Sequence, residues 1–412
     1  MAIKSSGQLA FTEIVAEFPD TPPHSMSEFY RGGGKVPDAN TNIPTSGQIS
    51  FSNFYGATNR VVAEITISSN QQNYVFNPQK LASYSAGITD AVIYINEGVY
   101  IWSDSTFSPA LTISGWNNND TVKVVNKGFI IGKGGQGADM TYNNTSGGTA
   151  YSVGTNGGPA IKVIGSLLTA YDNTWPTAYI AGGGGGGAAM YVAGLYACGG
   201  GGAGGGRGGN VVVTNQTNQN KTGGAGGGLG LPGSAGAGDN DIYNAGAGGG
   251  RILPGVGGQA SLSTIDGLSR GGGSGGTGSW VDARNYPGFA PNGLGSSGGA
   301  GGGWGAPGTP SWIFVSNQLS AWMPSYGNGG SSNEWAGIPS GLSIEITTVD
   351  GNLTSTITNN RPHVVDWYQN QFGMIVGFSD GGYAIELGGG GISLIGGTGS
   401  LTRMYGNWGL KL

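Results

Sequence analysis

The sequence is poor in the residue types on which most catalytic and metal sites depend. It has one cysteine, Cys198, and two histidines, His24 and His363, in 412 residues. An internal disulfide therefore cannot form, and a Cys/His metal site is not expected. Charged residues make up 9% of the chain and the formal net charge is −5. This composition argues against nucleic-acid binding, which needs a basic surface.

Long apolar runs are missing as well. No stretch of about 18 apolar residues is present, so no membrane-spanning helix is expected. The N-terminus, MAIKSSGQLAFTEIV, has no continuous apolar segment of the signal-peptide kind. We therefore expect a soluble protein made in the cytoplasm. It should contain more than one unit, because 412 residues exceed an ordinary domain.

No motif supplies the groups of an enzyme site. GKGGQG, Gly132–Gly137, matches the start of a dinucleotide-binding pattern. That pattern needs a following helix to face the phosphates, and the next residues, ADMTYNNTSGG, do not predict one. Neither His24 nor His363 is close to a nucleophile motif, and no spacing favours a carboxylate pair. We therefore predict no enzyme activity, no cofactor and no metal.

Glycine, in contrast, is abundant, with 88 residues. Disordered linkers are usually poor in aromatic and β-branched residues, which separate the glycine runs here. Collagen needs a strict three-residue repeat, which is missing. The third interpretation, which we favour, is a bundle of extended polyglycine type II helices whose backbone groups bond to neighbouring helices. The runs are Gly182–Gly187, Gly199–Gly209, Gly223–Gly230, Gly246–Gly250, Gly271–Gly278 and Gly298–Gly303.

The first 60 residues contain an internal repeat, since Ser6–Ile14 returns as Ser46–Phe54. Between the copies, Ser25 and Glu28 form a capping-box pattern that predicts a short helical turn. Prolines break the rest into extended pieces. The apolar residues exceed what so short a segment buries alone; they are Phe11, Ile14, Phe18, Phe51, Phe54 and Tyr55. We therefore expect an attachment module that completes its packing against a partner.

The remaining chain alternates apolar and polar residues in several stretches, such as VVAEITIS from Val61 onward, which is strand periodicity. The predicted fold class is mostly β with little helix: a β domain, a polyglycine type II helix bundle and a C-terminal β region. We divide the chain into an attachment module (1–60), a β domain (61–131), the glycine-rich bundle with variable loops (132–330) and the C-terminal β region (331–412).

Three elements resemble the glycine-rich distal adhesins of tailed bacteriophages, best known as the tips of T-even-type long tail fibres. Asn126–Gly135 reads N-x-G-x-I-x-G-x-G-G, Gly157–Ala160 reads G-G-P-A, and a long glycine run follows. The resemblance implies a polyglycine type II bundle whose variable loops contact outer-membrane receptors. Residues 1–60 are similar to leader modules of phage virion proteins, which T-even tips lack. Residues 331–412 match no part of the pattern.

The resemblance implies a virion protein, a tail-fibre or tail-tip adhesin that binds the host without catalysis. Its partners would be a host outer-membrane protein or surface glycan and, through residues 1–60, other virion tail proteins. Homo-oligomer formation stays open. The alternatives are a structural capsid or baseplate decoration protein without receptor binding, an ice-binding glycine-helix protein, and a depolymerase.

The receptor-binding residues are predicted from geometry. If consecutive glycine runs lie antiparallel, loops 188–198, 231–245 and 279–297 share one end of the bundle, which we take as distal. Loops 210–222, 251–270 and 309–326, with Trp312 and Trp322, would share the proximal end. Aromatic residues are favoured interface anchors. The candidates are therefore the distal aromatic residues, Tyr191, Tyr196, Tyr243, Trp280, Tyr286 and Phe289.

Overall fold

A computed structural model of the chain shows an architecture of many short strands with few helical elements. It describes residues 3–142, 150–192, 195–213, 220–238, 243–251, 253, 280–282, 294–298, 301–305, 308, 312–315, 325–326, 335–336, 344–345, 356–357, 379–389, 391–395, 403–406 and 408–410. The predicted class, mostly β with little helix, is confirmed. None of the helices in these ranges has the length and apolar character that crossing a bilayer requires.

The helical elements are short and lie near the N-terminus. They are helix α1 (Phe11–Glu17) and the 3₁₀ turns Met26–Phe29, Phe51–Phe54 and Pro78–Lys80. The strands are β1 Val61–Ile67, β2 Gln71–Gln72, β3 Tyr74–Phe76, β4 Thr89–Ile95, β5 Tyr100–Trp102, β6 Leu111–Ile113, β7 Thr121–Asn126, β8 Phe129–Ile131, β9 Met140–Tyr142, β10 Ala150–Ser152, β11 Ile161–Val163, β12 Leu168–Asp172, β13 Tyr179–Ala181, β14 Ala189–Val192, β15 Leu195–Ala197, β16 Val211–Val213, β17 Tyr243–Asn244, β18 Trp280–Asp282, β19 Leu294–Ser297, β20 Trp312–Val315, β21 Ser325–Tyr326, β22 Trp335–Ala336, β23 Ile344–Glu345, β24 Thr356–Ile357, β25 Ile385–Leu387, β26 Ile392–Ile395, β27 Met404–Tyr405 and β28 Trp408–Leu410.

The largest unit is a three-sided solenoid of parallel strands. Its sheets run β1-β4-β7-β12-β26, β2-β5-β8-β13-β27 and β3-β6-β11-β25-β28. The chain visits the three sheets in turn, so that each coil adds one strand to every sheet. Inward-facing apolar residues of successive coils stack into one core, as Ile93, Leu111 and Val124 do. Burying such a side chain contributes about 1.5–3 kcal/mol.

Polar side chains fix one corner of the solenoid. Asn126 and Asn173 are both buried at the ends of β7 and β12, and the Asn126 amide nitrogen donates to the Asn173 amide oxygen at 2.8 Å. The Asn126 amide oxygen accepts from the Gly128 N–H at 3.1 Å. Gly128 has no room for a side chain, because a Cβ there would lie 2.2 Å from the Val99 carbonyl oxygen.

Residues near the C-terminus complete the solenoid. Strand β25 pairs with β11, β26 with β12 and β27 with β13, all in parallel. The Lys162 ammonium meets the buried Glu386 carboxylate at 2.7 Å across the β11–β25 pair. Sheet pairing thus joins strands on both sides of the boundaries expected at residues 131 and 331. The four-part division of the chain remains a prediction.

Residues 3–57 form a core of their own, which includes Ile14, Phe18, Phe29 and Phe54. The expectation that so short a segment leaves its apolar residues open to a partner is wrong for Ile14, Phe18 and Phe54, because the chain folds back on itself. Phe51 is the exception and is 42% exposed.

A repeated capped turn explains why this module is compact. The capping box predicted at Ser25 is confirmed, with the Ser25 N–H donating to Glu28 at 2.9 Å. The same arrangement joins Ser50 to Asn53 at 2.8 Å and, at the start of the unpredicted helix α1, Ala10 to Glu13 at 2.7 Å. Each box satisfies an otherwise free backbone donor.

Two tyrosine hydroxyls hold the turns at the start of the two repeat copies within the module. The Tyr30 hydroxyl donates to the Gly47 carbonyl, and the Tyr55 hydroxyl donates to the Gly7 carbonyl. Gly7 and Gly47 occupy equivalent SGQ turns, with φ of 94° and 85°. Glycine adopts this left-handed conformation without steric cost. The Tyr55 bond therefore joins the residue that follows the second copy to the first copy, and the Tyr30 bond joins the segment between the copies to the second copy.

The glycine region is the set of glycine-rich segments between residues 132 and 382 that leave the solenoid and return to it. In the run 182–187, backbone N–H groups three residues apart donate to carbonyls of the same neighbouring segment. Gly183 and Gly186 donate to Gly158 and Thr155, both at 2.9 Å. Gly184 and Gly187 donate to Ala203 and Gly200, both at 2.8 Å. Three residues per turn is the period of an extended polyglycine helix. The handedness and full extent of the bundle remain predictions.

Glycine is required in these segments because the backbones approach closely. A Cβ on Gly186 would lie 1.8 Å from the Gln136 carbonyl oxygen, and one on Gly183 would lie 1.9 Å from that of Lys133. Both segments are direct continuations of solenoid strands, β8 running into residue 132 and β13 into residue 182. The solenoid therefore sets the direction in which the glycine region starts.

The run Gly199–Gly209 is a hairpin, although it was expected to be one rod. Gly204 and Gly205 have positive φ of 99° and 79°, and the Gly206 N–H donates to the Gly202 carbonyl at 3.0 Å. The chain reverses there, beside the buried residues Ile131 and Trp304. This extra reversal changes which later loops reach the far end.

Candidate functional site

The end of the glycine region away from the solenoid, here the distal end, carries a four-stranded sheet in the order β10-β14-β15-β17. Its register aligns three candidate residues, with Tyr191 opposite Tyr196 and Tyr196 opposite Tyr243. Residues 243–244 of loop 231–245 therefore meet loop 188–198, as predicted, but loop 231–245 begins at the proximal end, where the Leu231 carbonyl accepts from the Arg251 N–H at 2.9 Å. Strand β18, which begins at Trp280, contacts β15 and β17, so part of loop 279–297 reaches the same end.

The candidate residues differ in what the structure describes of them. Tyr196 is only 4% exposed and packs in an apolar cluster with Met140, Cys198 and Val211. For Tyr191, Tyr243 and Trp280 the backbone position is described. Tyr286 and Phe289 lie outside the described residues. The role of all six in receptor binding remains a prediction.

Loop 210–222 was predicted at the proximal end, and this placement is wrong. Strand β16 pairs with β9, and Val211 and Val213 pack in the same cluster as Tyr196. The physical reason is the reversal at Gly204–Gly205, which sends the chain back to the distal end one pass earlier than expected. The apolar run VVV at 211–213 was the sequence signal for this strand.

The prediction that Trp280 and Trp312 lie at opposite ends of the bundle is also wrong. Ser297 of β19 pairs with Trp280 on one side and with Trp312 on the other, so both tryptophans start strands of one three-stranded sheet. Trp322 lies outside the described residues. Loop 251–270 begins at the proximal end as predicted, since Arg251 forms an ion pair with Asp104 of the solenoid and donates to the Gly204 carbonyl at 3.0 Å.

An ion pair between Arg207 and Asp139 lies at the base of the distal sheet. Arg207 donates to both carboxylate oxygens of Asp139, at 2.7 and 2.9 Å, and the Asn210 N–H adds a bond at 2.7 Å. Burial alone would raise the pKa of Asp139, but the hydrogen bonds from Arg207 and the Asn210 N–H, with the charge of Arg207, outweigh it and hold that pKa below its ordinary value. The pair connects the segment before β9 to the one before β16.

Cys198 is a small buried residue, as predicted. Its thiol contacts the Asn210 carbonyl at 3.2 Å, and burial raises its pKa. A thiol held in its protonated form is a poor nucleophile. The segment Gly132–Gly137 is followed by strand β9, so the described residues directly after it form a strand where a dinucleotide site needs a helix. Gly134 and Gly135 donate their amides to Gly204 and Gly184.

One side-chain cluster in the described residues has the composition of a cation site. The ligand atoms of Asp20, His24 and Glu28 lie within 4.8 Å of one another in the N-terminal module. Asp20 already forms an ion pair with the Lys35 ammonium, and hydrogen bonds from Lys35 and Thr21 lower the pKa of Asp20 to about 2. The Asp20 carboxylate is therefore already paired with a cation of the chain itself, the Lys35 ammonium.

Comparison with known proteins supports the class that the sequence resembles. Residues 62–253 match the model of the family described as phage tail fibre adhesin Gp38. The matched span begins at β1 and extends through the solenoid strands into the glycine region. The resemblance to glycine-rich phage tail-fibre adhesins is therefore confirmed over these residues.

A solved structure is similar over nearly the whole length. It is the gp37–gp38 adhesin tip complex of the bacteriophage S16 long tail fibre, with 15% identity, a TM-score of 0.35 and coverage of 98% of this chain and 99% of that chain. A search of curated proteins gives no match.

Proposed function

We propose that this protein attaches the virion to the host cell by binding a surface receptor through the distal end of its glycine region. The receptor would be a host outer-membrane protein or a surface glycan, and binding would involve no catalysis. The observation that supports this proposal most directly is the convergence at one end of the consecutive strands β14 and β15 with β17 and β18, which come from later in the chain. Loops on a rigid support are common binding sites.

Substituting the candidate anchors tests this proposal. Tyr191→Ala, Tyr243→Ala and Trp280→Ala should each cost about 2 kcal/mol or more of binding free energy if the residue is a true hot spot. The measurement is adsorption of purified protein to host cells by flow cytometry, with folding checked by circular dichroism. The Tyr196→Ala result is interpreted separately from the others, because Tyr196 is buried and its substitution also removes packing.

Val62→Ala is the matched control, since Val62 is 55% exposed on the solenoid and far from the distal end. It should adsorb as the parent protein does. If the distal variants and the control all adsorb normally, the receptor site lies outside this end. Failure of the parent protein to bind host cells or to compete with phage would favour a decoration protein. Release of oligosaccharide from host glycans would refute the non-catalytic part.

Residues 1–60 are proposed to attach the protein to another virion tail protein. The module has its own core, yet Phe51 is exposed and its ring lies edge-on to Phe11 at 6.2 Å between centroids. Phe11 is partly buried against the core, so Phe51 is the exposed member of the pair and the aromatic residue available to a partner. Deleting residues 1–60 should leave the solenoid folded but the protein absent from particles, as measured by immunoblotting of purified virions.

A point variant separates docking from folding. Phe51→Ser should lower incorporation into particles while the module keeps its thermal unfolding temperature, because Phe51 contributes little to the core. Ser52→Ala, on the same exposed turn, is the control and should be incorporated normally. Normal incorporation of the deletion variant would place the attachment site elsewhere in the chain.

A further inference from the structure

We draw no further inference here: the strongest candidate, the Asp20–His24–Glu28 side-chain cluster in the N-terminal module, already holds the Lys35 ammonium at Asp20, and no second observation among the described residues points to a ligand there.

Discussion

The solenoid and the glycine region are held together by different parts of the polypeptide. In the solenoid, buried side chains such as Ile93 and Leu111 fill the interior, and parallel backbone ladders order the coils. In the glycine region the backbones themselves are in contact, and their lateral hydrogen bonds take the place of a side-chain core. The first region should therefore be sensitive to the removal of atoms, and the second to their addition.

Adding a side chain to the glycine region should give the largest effect. A Cβ on Gly227 would lie 2.2 Å from the Leu231 carbonyl oxygen, and one on Gly205 would lie 2.5 Å from Arg251 Nε. A large residue there would separate segments that satisfy each other's backbone groups. We expect Gly227→Arg and Gly205→Arg to abolish soluble folded protein, as measured by soluble yield and circular dichroism.

Gly228 supplies the matched control in the same run. A Cβ at this exposed position would meet only the Leu231 side chain, at 3.6 Å. Gly228→Arg should therefore fold like the parent protein. Equal yields of the Gly227 and Gly228 variants would show that lateral backbone contact does not hold this region together.

Removing atoms from the solenoid should give the next largest effect. Leu111 is fully buried in β6, and Leu111→Ala should lower the free energy of unfolding by about 2–5 kcal/mol through lost burial and a cavity. Urea unfolding followed by intrinsic fluorescence measures the change. Val75→Ala on the neighbouring strand β3 is the control. Val75 is 40% exposed, and a change within about 0.5 kcal/mol is expected. Equal losses would contradict a side-chain core.

The smallest expected effect is the pH dependence of stability that comes from the Arg207–Asp139 pair at the base of the distal sheet. Because Arg207 lowers the pKa of Asp139 in the folded protein, the ionised carboxylate stabilises the fold at neutral pH. This contribution should be present above the unfolded pKa of about 3.9 and lost as the pH falls through the lower folded pKa. The midpoint of urea unfolding for Asp139→Asn should therefore lie below that of the parent at pH 6 and approach it near pH 3.

Arg207→Met provides the comparison for that experiment. Without the guanidinium, the Asn210 N–H still lowers the pKa of Asp139 while burial raises it, so adding Asp139→Asn should produce a smaller pH-dependent change than it does with Arg207 present. An undiminished pH-dependent difference in the Arg207→Met background would mean that Arg207 does not lower the pKa of Asp139.

Local chemistry decided the features that the sequence alone predicts. The capping box at Ser25 depends on residues three positions apart, and the alternation in β1 depends on neighbours. The burial of Cys198 follows from its small apolar side chain between alanine and glycine. The glycine runs are predicted to be ordered because aromatic and β-branched residues, which are scarce in disordered linkers, separate them. Such features need no knowledge of distant partners.

Tertiary structure alone decided which segments meet. Parallel pairing joins Ile161 to Ile385, and no local pattern records a partner that distant. Glycine runs lack the side-chain pattern that sets register in ordinary strands, so the reversal at Gly204–Gly205 could not be read from a run of near-identical residues. That reversal placed loop 210–222 at the distal end and helped bury Tyr196. Each backbone group in a glycine run bonds to the segment that lies beside it in space. The sequence of such a run carries almost no information about which segment that is.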